Sequence, residues 1–146
     1  IEVYSISDIL AIHKYLFQDV YAWAGQFRKV NISKNGNPFM SIQSFSTAQV
    51  YINRLIHTYY QTANSKDEII KQLAKILDIL NYFHPFREGN GRTQREVIRS
   101  LALSKGYSAQ IRVEQDDEVY NLYMDGTVYG DLGKLEELLG KILEKL

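Results

Sequence analysis

Apolar residues recur every three to four positions along most of this chain, a spacing that places them on one face of an α-helix. The first segment with this period covers residues 7–18, and Ser7 is its predicted N-cap. We therefore expect a helix near the start of the chain. Its apolar face carries Ile9, Leu10, Ile12, Leu16 and Phe17.

The same period predicts two longer helices in the middle of the chain, over about residues 46–63 and 66–84. Ser65 and Glu68 have the spacing of a capping box, which would start the second of them. Apolar residues cover much of the circumference of this second helix, so we expect it to be the central buried one. The face of the first helix predicted to point inward carries Val50, Ile52, Leu55, Ile56 and Tyr59.

Three more helices are predicted in the second half of the chain. One covers residues 91–104, and Gly106, which follows Lys105, is its favourable C-terminal cap. Another covers residues 114–125 and is followed by a loop over residues 126–130, and the last covers residues 132–146. The residues of the 91–104 helix that we expect to face the core are Val97, Ile98, Leu101 and Leu103.

One segment departs from the helical period. Residues 26–33 alternate only roughly between apolar and polar, Asn35-Gly36 is typical of a tight hairpin turn, and residues 39–42 can form the returning strand. The pattern predicts a small β-hairpin over residues 26–42, the only β element expected. Because an isolated hairpin is marginally stable, it should lean on the helices. The predicted fold class is all-α, a helical bundle with one small hairpin.

The composition agrees with a single ordinary domain. The chain has 146 residues, of which 45% are hydrophobic and 23% charged, and its net charge is zero. A basic excess and an apolar run of about 18 residues are both absent, so neither nucleic acid nor a membrane is an expected partner. The absence of cysteine excludes a disulfide framework and favours a reducing compartment such as the cytoplasm. We expect residues 1–146 to form one domain; because the chain begins with Ile1 and not Met, that domain can be a fragment of a longer chain.

The strongest chemical signal is the run His84-Pro-Phe-Arg-Glu-Gly-Asn-Gly-Arg-Thr-Gln-Arg95. Pro85 fixes its own φ angle and tends to end the preceding helix, so His84 is predicted at a rigid helix end beside a loop. Glu88 is a hard oxygen ligand of the kind that Mg²⁺ prefers. A base and a metal ligand are thus expected side by side.

The rest of this run is suited to anions. Gly89-Asn90-Gly91 can form a loop whose backbone amides converge on phosphate, and the helix that starts there adds unpaired amides. Arg92, Arg95 and Arg99 share one helix face, and the guanidinium group fits phosphate oxygens. The run therefore predicts a polyphosphate site beside a histidine base.

Each residue also has an ordinary structural interpretation. A histidine at a helix end is most often structural, Glu88 and Glu96 could simply pair with the arginines, and Gly-Asn-Gly is a common turn. His13, on the apolar face of the first helix, is expected to be a packed or exposed side chain and not a catalytic one. The joint occurrence of all the signals within one short run favours the phosphate-site interpretation.

Other phosphate and metal motifs do not fit. The chain lacks the Walker sequence Gly-x-x-x-x-Gly-Lys-(Ser/Thr), and Gln94 stands where a dinucleotide-binding fingerprint needs its third glycine. Neither His13 nor His57 belongs to a His-Glu-x-x-His motif, and a chain without cysteine is a poor candidate for structural zinc.

Residues 84–95 resemble the signature of the Fic family, His-Pro-Phe-x-(Asp/Glu)-Gly-Asn-Gly-Arg-x-x-Arg, and match it at every specified position. The resemblance implies an all-α fold and transfer of AMP from ATP to a Ser, Thr or Tyr hydroxyl of a target protein. It implies that His84 is the catalytic base, that Glu88 holds Mg²⁺, and that Phe86 anchors the loop in the core. It further implies that the nucleotide is bound by Gly89, Asn90, Gly91, Arg92 and Arg95.

The hairpin and the preceding Trp23-Ala-Gly-Gln-Phe-Arg28 resemble the Fic flap and the segment that leads into it. The resemblance implies that the target protein docks on residues 26–42 by pairing with a free strand edge. It also places Lys34 and Asn35, at the tip, against nucleotide or target. The alternative is a structural hairpin that covers an edge of the core.

Two further features bear on regulation and reaction type. Many Fic proteins carry (Ser/Thr)-x-x-x-Glu-(Gly/Asn), whose glutamate pairs with the second signature arginine, here Arg95; the chain lacks this pattern. An antitoxin-like partner that supplies such a helix is therefore an expected candidate, as is delivery into a host cell if the chain is part of an effector. Doc-type kinases have Lys where Gly91 stands, so Gly91 favours nucleotidyl transfer. Removal of AMP, transfer of another phosphate-linked group, and a non-catalytic nucleotide- or partner-binding module remain alternatives.

Overall fold

The computed structural model describes all 146 residues and contains six α-helices and two short antiparallel strand pairs. The helices are α1 (Ile6–Phe17), α2 (Phe45–Thr62), α3 (Lys66–Phe83), α4 (Asn90–Ser104), α5 (Asp117–Val128) and α6 (Leu132–Ile142). The strands are β1 (Ser33–Lys34), β2 (Asn37–Pro38), β3 (Tyr107–Ser108) and β4 (Glu144–Lys145). The predicted all-α class with a small hairpin is confirmed. None of the helices is long and apolar enough to cross a bilayer.

Helix α3 is the centre of the core, as its apolar periodicity predicts. It packs against α2, α4 and α6. The hydroxyl of Ser65 accepts a hydrogen bond from the backbone N–H of Glu68 at 3.2 Å, which caps the first turn. Each large apolar side chain buried here contributes roughly 1.5–3 kcal/mol relative to exposure. The buried residues of α3 are Ile69, Leu73, Ala74, Ile76, Leu77, Leu80 and Phe83.

Helix α1 begins one residue earlier than predicted, and its N-cap lies two residues earlier. Its N-cap is Ser5 and not Ser7, because the Asp8 carboxylate accepts hydrogen bonds from the backbone N–H groups of Tyr4 (2.8 Å) and Ser5 (3.1 Å). Two predicted core residues on other helices point outward: Val50 on α2 is 60% exposed, and Leu103 on α4 is 40% exposed. In both α2 and α4 the buried stripe is narrower than the run of apolar residues.

The C-terminal half differs most from the sequence prediction. Helix α5 begins at Asp117, since Asp116 caps it, and it continues through Gly126 instead of breaking there. A Cβ on Gly126 would lie 2.5 Å from a methyl carbon of Leu135, so this glycine permits a close helix contact and does not mark a loop. Helix α6 ends at Ile142. The predicted 126–130 loop is wrong for residues 126–128.

A second strand pair, absent from the sequence prediction, closes the end of the bundle opposite the hairpin. Residues 107–108 pair with residues 144–145, and the backbone N–H of Leu146 donates to the carbonyl of Gly106 at 2.9 Å. The other chain end lies on the same helix, where the Ser100 hydroxyl donates to the Ile1 carbonyl at 2.7 Å. Both chain ends are therefore held near the C-terminal end of α4.

Candidate active site

His84 caps the C-terminus of α3 in a left-handed backbone conformation (φ 44°, ψ 62°), directly before Pro85. Its Nδ1 lies 2.9 Å from the carbonyl oxygen of Asn81. A carbonyl can only accept, so Nδ1 carries the proton and Nε2 keeps its lone pair. The end of the helix thus presents a neutral imidazole with one free acceptor.

The environment of His84 keeps it neutral. Burial lowers its pKa to about 4, the nearby Arg28 and Lys34 act in the same direction, and the Asn81 carbonyl opposes them. The ring of Phe39, the residue directly after β2, stacks on the imidazole of His84. The ring centroids are 3.7 Å apart, and the angle between the ring planes is 8°. Phe39 fixes the ring plane, and the sequence analysis did not identify it as a site residue.

The loop after His84 is closed by a side chain of α4. The Oδ1 of Asn90 accepts from the backbone N–H of Phe86 at 3.0 Å, and its Nδ2 donates to the Phe86 carbonyl at 2.7 Å. Phe86 itself is 1% exposed and packs into the core. Both polar atoms of the Asn90 amide already hold the loop, so this residue shapes the site from within.

Gly89 joins the loop to α4 with φ +83°, a conformation that favours glycine. A Cβ at this position would lie 2.5 Å from the ring of Phe17, so any other residue would have to displace this ring. The first amides of α4, from Asn90 onward, have no intrahelical acceptor and form the positive end of the helix dipole. The cavity edge at Gly89 and Gly91 therefore offers backbone donors to an anion.

His13 anchors the loop from α1. It is fully buried, and its Nδ1 accepts the backbone N–H of Gly25 at 2.9 Å, so its Nε2 donates to the Glu88 carbonyl at 2.9 Å. The imidazole also stacks on Phe86 at 3.7 Å. Burial lowers the pKa of His13, consistent with the neutral form. The sequence pattern predicted a packed or exposed residue but missed this link; a histidine within an apolar helix face was the available signal.

Arg28 joins the hairpin to the end of α3. Its guanidinium is buried and donates to the carbonyls of His84 (2.6 Å), Val30 (2.7 Å), Met40 (2.6 Å) and Phe83 (3.2 Å). No carboxylate pairs with it. The carbonyls at the C-terminus of a helix carry partial negative charge and balance the cation instead. Sequence reasoning quoted Arg28 only as part of the segment leading into the hairpin.

The hairpin is shorter than predicted. Ser33 pairs with Pro38 and Lys34 with Asn37, so only the residues around the Asn35-Gly36 turn form strands. Both turn residues have positive φ (53° and 80°), as this dipeptide predicts. Every residue from 33 to 38 is exposed. The tip projects beside the cavity with few contacts to the helices.

A cavity of about 720 Å³ brings most of the predicted residues together. Arg95 lines it, with its guanidinium 5.4 Å from the centroid of the Tyr123 ring. Arg92 does not line it; this side chain is exposed and lies over Phe17 at 5.6 Å. Arg99 instead forms a pair with Glu96 at 2.6 Å. The predicted site residues that line the cavity are His84, Glu88, Gly89, Asn90, Gly91, Arg95, Lys34 and Asn35.

Glu88 is the carboxylate of the loop, and its side chain is exposed at the cavity. The structure contains no group of three or more His, Asp and Glu residues that could hold a metal ion unaided. Mg²⁺ typically takes one or two carboxylates and completes its shell with water and substrate phosphates. A single exposed carboxylate beside an anion site fits that mode of binding.

The profile of the Fic/DOC family matches residues 3–102. The matched part contains α1, the hairpin, the loop at 84–89 and most of α4, whereas α5 and α6 lie outside it.

Several curated relatives are similar over large parts of this chain. A probable protein adenylyltransferase Fic from Escherichia coli K12 is 28% identical over 145 residues, covering 98% of this chain and 72% of the relative. The protein adenylyltransferase VbhT from Bartonella schoenbuchensis is 38% identical over 105 residues, covering 71% of this chain and 22% of the relative. The probable protein adenylyltransferase y4lH from Sinorhizobium fredii is 34% identical and is covered over 52% of its length. The chain thus spans about half or less of two of these three relatives.

Crystal structures of Bartonella effector domains have the same fold. The N-terminal Fic domain of an effector from Bartonella sp. AR 15-3 superimposes with a TM-score of 0.85 at 20% identity, over 99% of this chain and 72% of that one. The BepC protein of Bartonella tribocorum, with bound AMPPNP, superimposes with a TM-score of 0.80 at 19% identity, over 100% of this chain and 77% of that one. At these identities the likeness shows the fold.

Proposed function

The chain belongs to the Fic/DOC family, and from this premise we propose that it is a protein adenylyltransferase, which transfers AMP from ATP to a Ser, Thr or Tyr hydroxyl of a target protein. The names of its curated relatives support this reaction. The observation that carries the proposal is the position of His84, whose unprotonated Nε2 shares one cavity with the backbone donors of Gly89 and Gly91.

His84 acts as the general base. The hydroxyl oxygen of the target attacks the α-phosphorus of ATP while its proton passes to Nε2. A new bond forms between this oxygen and the phosphorus, and the bond from the phosphorus to the bridging oxygen breaks, so pyrophosphate leaves with the electron pair. The phosphates of bound ATP favour the imidazolium form, which raises the basicity of His84 above that of the free site.

The donors around the loop hold the nucleotide. Backbone amides of Gly89 and Gly91 bind the α- and β-phosphates, and Arg95 binds an outer phosphate. Asn90 contributes by fixing the loop through Phe86. Arg92 is a phosphate ligand only if its guanidinium leaves the ring of Phe17.

Glu88 would hold Mg²⁺ together with phosphate oxygens. When bound, the ion supplies positive charge that offsets the charge of the phosphates. The loop supports this role, since the backbone of Glu88 is fixed by His13 while its carboxylate remains accessible.

The target protein docks on the 26–42 hairpin, where the exposed strand edge of residues 33–38 is available for main-chain pairing and Lys34 and Asn35 line the cavity mouth. An antitoxin-like partner bearing a glutamate helix is proposed to inhibit by occupying Arg95. The place of action is the cytoplasm, or a host cell if the chain is delivered as part of an effector.

The test is mass spectrometry of a lysate and of the domain itself after incubation with ATP and Mg²⁺. We expect adenylate adducts with the wild type and a loss of ~10²–10⁴-fold in rate for His84→Ala, with ATP binding retained. His57→Ala is the matched control, because His57 is exposed on α2 and does not line the cavity. Phosphate adducts would indicate a kinase. ATP binding without any adduct would favour a binding module, and unchanged activity of His84→Ala would refute the mechanism.

A further inference from the structure

The cavity continues beyond the phosphate-binding loop, in a groove between α3 and α5. Two hydrogen bonds and one close approach mark its course. The Tyr123 hydroxyl donates to Gln94 (3.1 Å), and the Asn81 side chain donates to the Thr127 carbonyl (3.1 Å). Farther along, Gly130 lies so near Asp78 that an added Cβ would be 3.5 Å from Asp78 Oδ1. The two helices therefore run antiparallel along the groove, which starts near the signature and ends at Asp78.

Asp78 lies six residues before His84 on α3, a distance of about 9 Å along the helix axis. Its side chain lines the cavity and is partly buried. No cation pairs with it, and burial alone raises the pKa of this carboxyl. No protein donor bonds to this carboxylate, whose oxygens face the cavity, so a ligand with an N–H group in the groove would supply the missing partner.

The groove around Asp78 has a partly apolar lining. Ile79 and Tyr82 contribute from α3, and Met124 and Val128 contribute from α5. Apolar side chains together with a carboxylate at the end of the groove suit a flat heteroaromatic ring whose edge carries a donor. The part of the wall on α5 lies outside the residues that the family profile matches.

From this arrangement we infer that Asp78 is the residue that selects the base of the nucleotide, by accepting a hydrogen bond from the 6-amino group of adenine. The inference rests on the proposed function, which places the phosphates at the opposite end of the same cavity. A carboxylate only accepts, and adenine offers its 6-amino group as a donor. A keto oxygen at position 6, as in inosine or guanosine nucleotides, would face the carboxylate with another acceptor and be rejected.

The experiment measures dissociation constants of the wild-type protein for ATP and for purine riboside 5′-triphosphate, which lacks only the amino group, in the presence of Mg²⁺. We expect ATP to bind roughly tenfold more tightly, as for one hydrogen bond to a charged group at a partly exposed site. Asp78→Ala should weaken the binding of ATP but not that of purine riboside 5′-triphosphate. The ratio of the two dissociation constants should then be close to one. Asp78→Asn keeps a carbonyl acceptor and should retain part of the preference.

Asp125→Ala is the matched control, because it removes a carboxylate from α5 outside the cavity; it should leave the ratio unchanged, and circular dichroism should show all variants folded. A wild type that binds neither nucleotide would refute the proposed function itself. Equal binding of ATP and purine riboside 5′-triphosphate by the wild type, or a preference for ATP that survives in Asp78→Ala, would overturn the role of Asp78 while leaving nucleotide binding intact.

Discussion

The signature loop and the tip of the β1–β2 hairpin border the same cavity but are held in opposite ways. The loop is fixed by buried polar side chains: His13 holds the Glu88 carbonyl and Asn90 holds the backbone of Phe86. The tip, residues 33–38, has no buried residue. Yet each region contains a glycine with nearly the same φ, +83° at Gly89 and +80° at Gly36.

The difference fits the role proposed for each region. Donors that bind a phosphate in a transition state are effective only when they are already oriented, since any reorganisation would cost free energy during the reaction. A strand edge that pairs with another protein gains its hydrogen bonds on docking and needs only a firm base. Arg28 provides that base and also holds the carbonyl of His84, so it links the rigid region to the adaptable one.

The largest expected effect is the loss of this link. Arg28→Met should lower the free energy of unfolding by roughly 3–5 kcal/mol, because several buried carbonyls lose their donor. Urea denaturation would measure it, with Arg54→Met, an exposed arginine on α2, as the control. Arg28→Lys should recover only part of the loss, since an ammonium cannot reproduce the planar fork. A loss below about 1 kcal/mol for Arg28→Met would show that the carbonyls find other donors.

The two glycines allow the comparison to be tested at matched backbone geometry. Gly89→Ala should cost about 2–4 kcal/mol, the sum of the left-handed conformation and the overlap with Phe17. Gly36→Ala should cost only about 1 kcal/mol, because nothing lies within 4 Å of the added methyl group. Thermal unfolding of both variants checks the difference. Phe17→Ala should partly rescue Gly89→Ala, and equal costs for the two glycines would contradict the comparison.

The stability of the loop should also depend on pH. The pKa of His84 is about 4 in the folded protein and 6.5 as its ordinary value. The unfolded chain binds the proton more readily, so the stability present above about pH 6.5 is lost as the pH falls toward 4. Between pH 7 and pH 5 this loss should amount to about 1–2 kcal/mol. His13 acts in the same direction.

Urea titrations across this pH range would measure the slope of stability against pH. His84→Gln should reduce the slope and leave the part that belongs to His13. A slope that His84→Gln does not change would mean that the imidazole is not desolvated as the structure indicates.

The smallest effect is expected at the tip. Lys34→Ala should change the free energy of unfolding by less than about 0.5 kcal/mol, because Lys34 is exposed and forms no ion pair. A modest loss of target modification, measured by mass spectrometry, would be consistent with its place at the cavity mouth. A large loss of stability would show that the tip is held as firmly as the loop.

Local patterns were sufficient to predict the fold class, the central helix and the position of the signature between two helices. Local patterns could not identify the partners of the anchoring residues, because these partners are distant in sequence. His13 bonds to a carbonyl 75 positions away, and Arg28 bonds to one 56 positions away. Gly126 illustrates the same limit, since its helical state depends on the contact with Leu135. Periodicity placed Arg92 on a helix face but could not tell which side of that face borders the cavity.

Residues 1 and 146 are both bonded to the part of the chain near the C-terminal end of α4, away from the cavity. Ile1 is tied to Ser100 and Leu146 to Gly106, whereas the signature loop sits at the opposite end of this 15-residue helix, about 20 Å away. A segment fused to either end would leave from the side opposite the cavity mouth. An added tag or fluorophore would therefore leave the approach to the cavity open.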